Sequence, residues 1–224
     1  DYDQRKFPAL YGYVADFRRI RQFPADQRFE PLLPGTTLYL SDAWAAGDPL
    51  LTWGNFKLVE RRPMLGAQSQ NWWGDNANWE APVQGGPLGQ TFFDVNYEMC
   101  PECLVVDCDP VGYPRAPVGK KRVWIDTRNM EFIASHTYDR RGELFKSFEP
   151  VFSQYEKGNV RDMDHTGKNI TWSWTGVLCH DVQSNRMTRF HQNKECTGGI
   201  KSARNVEGMY EKFLTEQAIS RLGA

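Results

Sequence analysis

The most closely spaced reactive side chains in this sequence are thiols. Cys100-Pro101-Glu102-Cys103 is a C-x-x-C, and Cys108 follows after four intervening residues. A structural zinc site normally takes four ligands, often as two such pairs. A second pair is missing: sixteen residues separate Cys179 from Cys196, and Cys179-His180 is not a standard knuckle. A thioredoxin-type redox motif needs a helix after it, which Pro110, Pro114 and Pro117 preclude. Disulfides that staple an exposed loop are therefore the first reading, and a metal site the second. The candidates are Cys100, Cys103, Cys108, Cys179 and Cys196, paired either within the first three or as Cys179 with Cys196. Two disulfides and one spare thiol would place the chain in an oxidising compartment.

The remaining chemistry is sparse. His136, His165, His180 and His191 show no H-x-x-x-H or H-E-x-x-H spacing. His136 falls in an alternating stretch, where a hydrogen-bonded strand histidine is expected. Nucleophile elbows, P-loops and dinucleotide fingerprints do not occur, and Asp162 and Asp164 read either as carboxylates gathered on one loop or, equally well, as a solvated turn. No catalytic residue, metal ligand or cofactor is assigned, and the expectation is a protein that is not an enzyme. Arg18-Arg19-Ile20-Arg21 is more pointed. If residues 13–23 form one strand, Arg19 and Arg21 share a face with Phe17 and Phe23 and point inward or into a groove. Inward arginines need partners, so an internal ion pair comes first. Recognition of an anionic head group on an apolar ligand comes second.

The elements that would position these groups centre on residues 120–148. Lys121-Arg122-Val123-Trp124-Ile125-Asp126 alternates apolar and polar side chains, and Thr127-Arg128-Asn129 supplies a turn. Residues 131–138 return, Asp139-Arg140-Arg141-Gly142 turns again, and residues 143–148 run out. That pattern is an antiparallel meander with one face to bury. Further strands are expected at 52–59, 92–98 and 104–107. Asn169-Ile170-Thr171-Trp172-Ser173-Trp174-Thr175 alternates, and 177–182 and 186–190 flank a turn at Gln183-Ser184-Asn185. Residues 41–47 read as one or two helical turns, with Ser41 or Asp42 as N-cap. Residues 215–223 read as a short helix capped by Thr215 and stopped by Gly223. The stretch 66–89, with Trp72, Trp73 and Trp79, reads as a long loop that packs onto something.

Composition narrows the classes. With 27 basic against 28 acidic residues over 224, nothing points to nucleic acid as a partner. Mean hydropathy is −0.62, and no apolar run approaches the roughly 18 residues of a membrane span, so a soluble product is expected. No signal peptide opens the sequence, so any leader has been removed or lies outside this numbering. Aromatics make up 13%, with eight Trp, which fits an aromatic core or a ligand-holding β protein. No linker or repeat divides the chain, and one domain over 1–224 is expected.

Four segments occur in an order that resembles a known family. They are Arg18-Arg19-Ile20-Arg21-Gln22-Phe23-Pro24; Ser41-Asp42-Ala43-Trp44 through Trp53-Gly54-Asn55-Phe56-Lys57-Leu58; the meander; and the ending from Leu214-Thr215 to Leu222-Gly223. The set resembles a proteobacterial family of unknown function, often labelled outer membrane lipoprotein-sorting protein. The resemblance covers most of the chain, which looks like the C-terminal portion of longer members. The cysteine-rich segment 100–108 departs from the common pattern. Resemblance to the Lol-type periplasmic carriers implies a mainly β fold: a curved antiparallel half-barrel with a few short helices around an apolar cavity. It also implies a periplasmic place, with outer-membrane association and envelope transport proteins of the resistance-nodulation-division class as partners.

The leading expectation is a non-enzymatic periplasmic carrier or chaperone for a lipid, a lipoprotein acyl chain or another hydrophobic ligand. Its pocket would be walled by Trp124, Tyr138, Trp172 and Trp174, with Arg19 or Arg21 at the rim. The alternatives are a subunit of a larger envelope assembly that docks through the Trp-rich loop, and a metalloprotein using Cys100, Cys103, Cys108 and a histidine.

Overall fold

A computed structural model describes residues 6–7, 9–43, 51–69, 83–84, 91–92, 97–154, 156–157, 160–161, 163, 166–191 and 207–223. In chain order the strands are β1 Leu10–Val14, β2 Arg19–Phe23, β3 Gly54–Ser69, β4 Val83–Gln84, β5 Thr91–Phe92, β6 Tyr97–Asp109 and β7 Val118–Asp126. They continue with β8 Phe132–Asp139, β9 Leu144–Gln154, β10 Glu156–Lys157, β11 Val160–Arg161, β12 Trp172–Asp181 and β13 Arg186–His191. Two short helices, α1 Met209–Phe213 and α2 Glu216–Gly223, end the described chain.

The main sheet has seven strands in the order β13-β12-β9-β3-β6-β7-β8, and β8 pairs in addition with β9. All pairings are antiparallel except a short parallel contact of Gln68 with Phe152 and Ser69 with Ser153. That contact draws the far end of β3 onto β9. With β9 also held by β8, the sheet is strongly curved, while β13 remains an edge. The meander is formed as its alternation predicts, with β7, β8 and β9 as successive neighbours. An aspartate heads each of its turns. Asp126 Oδ1 accepts from the Arg128 N–H at 2.9 Å, and Asp139 Oδ1 accepts from Arg141 N at 2.9 Å and Glu143 N at 3.0 Å. Such Asx bonds satisfy turn amides that no strand partner reaches. The β12–β13 hairpin and α2 also stand where expected, and Thr215 Oγ1 accepts from Ala218 N at 3.1 Å as the helix cap.

Three expectations change. Residues 13–23 are not one strand: β1 and β2 form a hairpin around a 3-10 turn at Ala15–Phe17, with Arg18 at φ 49°. The C-x-x-C is not in an exposed loop but inside β6, buried. Cys100, Cys103, Cys108 and Cys179 are free thiols, so no disulfide joins the first three, while Cys196 lies outside the described residues. Trp72, Trp73, Trp79, His165, Asp162, Asp164 and the rest of the helix expected at 41–47 also fall outside them.

A bulge explains how a proline and two buried thiols fit one strand. Arg62 opposes Cys103 while Met64 opposes Cys100, so β6 carries one extra residue between them. Pro101 and Glu102 lie in that bulge, where a missing N–H costs no ladder bond. The extra residue turns Cys100 and Cys103 to the same face, and the Glu102 carbonyl accepts from Thr127 N at 3.2 Å and Thr127 Oγ1 at 3.1 Å.

One face of the sheet is covered over β7, β8, β9 and β12 by the segment from Arg28 to Ala43. Leu38, with Leu32 and Ala43, packs on Val123, Phe132, Phe148, Val177 and Cys179. Two buried lysines hold that segment down. Lys121 Nζ donates to the carbonyls of Ser41 and Asp42. Lys146 Nζ donates to the Thr37 carbonyl and to Asp42 Oδ2, the latter at 3.0 Å, with both Lys146 and Asp42 about 2% exposed. Asp42 Oδ2 also accepts from Tyr39 N at 2.7 Å and from the Cys179 thiol at 3.4 Å. Removing one partner strands the other charge in the interior, at a cost of about 3–5 kcal/mol. Lys146→Met should lower the unfolding free energy by that amount in urea denaturation. Lys146→Met combined with Asp42→Asn should recover a large part of the loss.

Candidate functional site

The two faces of the curved sheet differ in chemistry. Cys100 and Cys103 of β6 and Ile133 of β8 form a buried cluster, packed by Met64 of β3 and Trp124 of β7. A Cβ added at Gly66 would lie 3.3 Å from both Cys100 Sγ and Ile133 Cδ1. Side chains of four strands thus converge here, which makes this the concave face. Val105 and Val151 are buried as well, so one end of the concavity is filled by the chain's own side chains.

Towards the other end the concave face turns polar. Lys120, Arg122 and Trp124 alternate along β7, and Tyr138, His136 and Ala134 oppose them on β8. Arg122 forms a fork with Asp107 of β6, Nε to Oδ1 at 2.6 Å and Nη2 to Oδ2 at 3.0 Å. That hydrogen-bonded pairing holds the Asp107 carboxyl below the usual carboxylate range. Lys120 lies 4.5 Å over the Tyr138 ring and 3.5 Å from Asp107. The His136 ring meets Trp124 edge-on at 4.8 Å, and burial together with the Arg122 charge pushes its pKa down. The imidazole is therefore neutral at neutral pH.

The opposite, outer face is divided. Over β9 and β12 it is a closed aromatic core. Phe132 stacks on Phe148 at 5.9 Å, and Trp174 packs against Phe132 and Phe148 at 6.4 and 6.1 Å. Over β3 and β6 it is open. Leu58 opposes Val106 and Leu65 opposes Met99 across the two strands. Leu58, Leu65 and Met99 are 51%, 54% and 56% exposed. Val106 and Leu104 in turn oppose Val123 and Ile125 of β7. Arg61, opposite Leu104, pairs with Glu102 at 3.1 Å between Leu58 and Leu65, so an exposed ion pair separates two apolar patches on this open face.

The residues expected to wall one pocket do not meet. Trp124 and Tyr138 stand on the concave face, whereas Trp172 and Trp174 stand on the outer face, one residue apart on β12 and both half-buried. Arg19 and Arg21 lie on the separate hairpin and are exposed, not directed inward. The residues missed from the sequence are Lys120, Arg122 and His136, together with Asp107. Setting the first two strands of the meander in register would have placed Arg122 against His136. Asp107 needed the non-local β6–β7 pairing.

Nor do the thiols form a reactive centre. Burial, helped by Asp126, pushes Cys100 up to about 12, and burial also raises Cys103. Both stay protonated, the reverse of what a nucleophile requires. Cys108 packs in a different cluster with Trp53 and Val118. Among the described residues no group of three His, Cys, Asp or Glu could hold a metal ion. Beside the thiols, the carboxyl of Asp126 is fully buried. Burial would raise its pKa, but bonds from the Arg128 side chain and N–H and from Cys100 outweigh this and bring it to about 2. Its stabilisation is complete above the unfolded value near 4 and is lost as pH falls through 2. Asp126→Asn should cost about 2–3 kcal/mol at neutral pH and flatten the fall in stability between pH 4 and 2, read by urea midpoints across that range.

No helix among the described residues is long and apolar enough to cross a membrane. No curated protein matches the chain. A solved domain from Vibrio parahaemolyticus, named for outer membrane lipoprotein sorting, is similar at 14% identity and a TM-score of 0.45, over 81% of this chain and 56% of that one. A solved DUF1329 family protein from Desulfovibrio piger is similar at 11% identity and a TM-score of 0.49, over 92% of this chain and 64% of that one. The chain therefore spans less than two thirds of either protein. The model of the family described as "Protein of unknown function (DUF1329)" matches residues 1–220, and the chain belongs to that family.

Proposed function

We propose that this protein is a non-enzymatic carrier of the cell envelope that holds a lipid, a lipoprotein acyl chain or another amphipathic hydrophobic molecule. One observation carries this reading: the apolar side chains of Leu58, Leu65 and Met99, each about half exposed on the outer face. Leu65 and Met99 face each other across the two strands, and adjoining apolar side chains left in water mark an interaction site. Covering these side chains would contribute roughly 1 kcal/mol each, and Leu58 adjoins Val106 at the edge of the covered core. An acyl chain lying along β3 and β6 would meet Val106 and Leu104 next. Trp124 and Tyr138 would meet a ligand only from the concave rim, beside Arg122 and Lys120. A periplasmic place follows from the motif resemblance and belongs to the same proposal.

Native mass spectrometry of protein purified from its source should show a co-purifying hydrophobic molecule. A fluorescent fatty-acid probe should bind the purified chain, and Leu65→Asp combined with Met99→Asp should weaken it at least tenfold with the circular dichroism unchanged. Failure of the intact protein to take up the probe, or a double variant that binds as well as the parent, would overturn the reading. A stable hetero-complex by size exclusion, broken by the same double variant, would instead favour a subunit of an envelope assembly.

A further inference from the structure

The β1–β2 hairpin has two unlike faces. Tyr13 opposes Ile20 on one, and α2 packs there: a Cβ at Gly223 would run into the Tyr13 ring. The other face carries Val14 opposite Arg19 and Gly12 opposite Arg21. A Cβ at Gly12 would lie 2.9 Å from Phe23 Cε2, so Phe23 is on this face too. At the tip Phe17 is 58% exposed. Arg18, Arg19 and Arg21 are exposed around it. Their charges are unneutralised: among the described residues no carboxylate pairs with any of the three. The contacts Arg19 and Arg21 do make are with rings, Cζ lying 5.7 Å over Phe17 and 5.8 Å over Phe23.

We propose that this face of the hairpin docks the protein on an anionic phospholipid bilayer. Charge complementarity selects the partner. Three guanidinium groups with no carboxylate partner among the described residues, beside an exposed aromatic tip, match a surface of phosphates over hydrocarbon. Guanidinium binds phosphate as a fork while its stem and the neighbouring ring sit at the apolar boundary. An aromatic side chain at the tip suits the interfacial zone. An acidic protein surface would meet the charges but would leave Phe17 in water. The αL turn at Arg18 sets the tip, and α2 braces the hairpin from behind, so the docking face is presented without rearrangement. Docking goes beyond the carrier reading and does not depend on it.

The test is co-sedimentation of the intact chain with phosphatidylcholine vesicles made with and without phosphatidylglycerol. Binding is expected only with the anionic lipid and should fall as salt rises. Each arginine near an anionic surface is worth about fivefold, so Arg19→Gln with Arg21→Gln should weaken binding more than tenfold. Phe17→Ser should weaken it as well, and the exposed positions leave thermal unfolding unchanged. Leu65→Asp with Met99→Asp should bind vesicles as the parent does, which separates this surface from the proposed cargo surface. Equal sedimentation with neutral and anionic vesicles, none with either, or arginine variants that bind like the parent would overturn the proposal. Loss of vesicle binding in the Leu65 and Met99 variant alone would do so too, because it would assign the docking to those side chains.

Discussion

A buried ammonium group is costly unless its donors are taken up, and this fold buries two. Lys146 and Lys121 project from the same face of the meander into the segment that covers it. Their donors are absorbed by the carbonyls of Thr37, Ser41 and Asp42 and by the Asp42 carboxylate. The rings complete the enclosure, Lys146 lying 2.9 Å over Tyr39 and Lys121 4.9 Å over Trp53. The arrangement admits little slack. Shifting the covering segment by one residue would leave an ammonium unpaired in the interior. The polar pair therefore sets the register with which Leu38 and its neighbours seal the aromatic core, while that core supplies the burial energy.

The same segment reaches past the meander. Thr37 N donates to Thr188 Oγ1 at 2.7 Å, and Thr37 Oγ1 donates to the Cys179 carbonyl at 2.9 Å. The edge hairpin β12–β13, already paired to β9 along β12, is thus also tied to the covering segment through Thr37. Asp42 raises the pKa of Tyr39, already pushed up by burial, to about 12, and burial keeps the Cys179 thiol protonated. The cluster around Asp42 is a structural clamp. Its thiol acts as a weak donor to the carboxylate and not as a reactive sulfur.

With the clamp closing half of the outer face and side chains filling one end of the concavity, the uncovered chemistry is confined to a few places. The apolar side chains of β3 and β6 and the basic, aromatic face of the first hairpin are two of them. The Arg122–Asp107 fork, with Lys120, Tyr138 and His136, forms a polar rim on the concave side. The proposed cargo and membrane surfaces thus lie on different elements of the chain.

Much of the fold is legible in the sequence because its signals are local. Alternation in β7, β8 and β9, aspartates at the turns, the Gln183-Ser184-Asn185 turn and the Thr215 cap all act within a few residues of themselves. The site was less legible, for reasons that concern parity and distance. A strand's period is two, so one inserted residue reverses every later side chain. The bulge at Pro101 and Glu102 turned an apparent disulfide loop into a buried stretch of strand. The four-residue turn at residues 15–18 converted an apparent strand with inward arginines into a hairpin with outward ones. Trp124 and Trp174 are similar aromatic positions in sequence, yet pairing through β9 sends them to opposite faces. Asp42 and Lys146 stand 104 residues apart, and nothing local marks either as the other's partner. Local propensity determined which segments are strands and turns. Only tertiary pairing decided which face each side chain took, because facing depends on the summed register of every strand between.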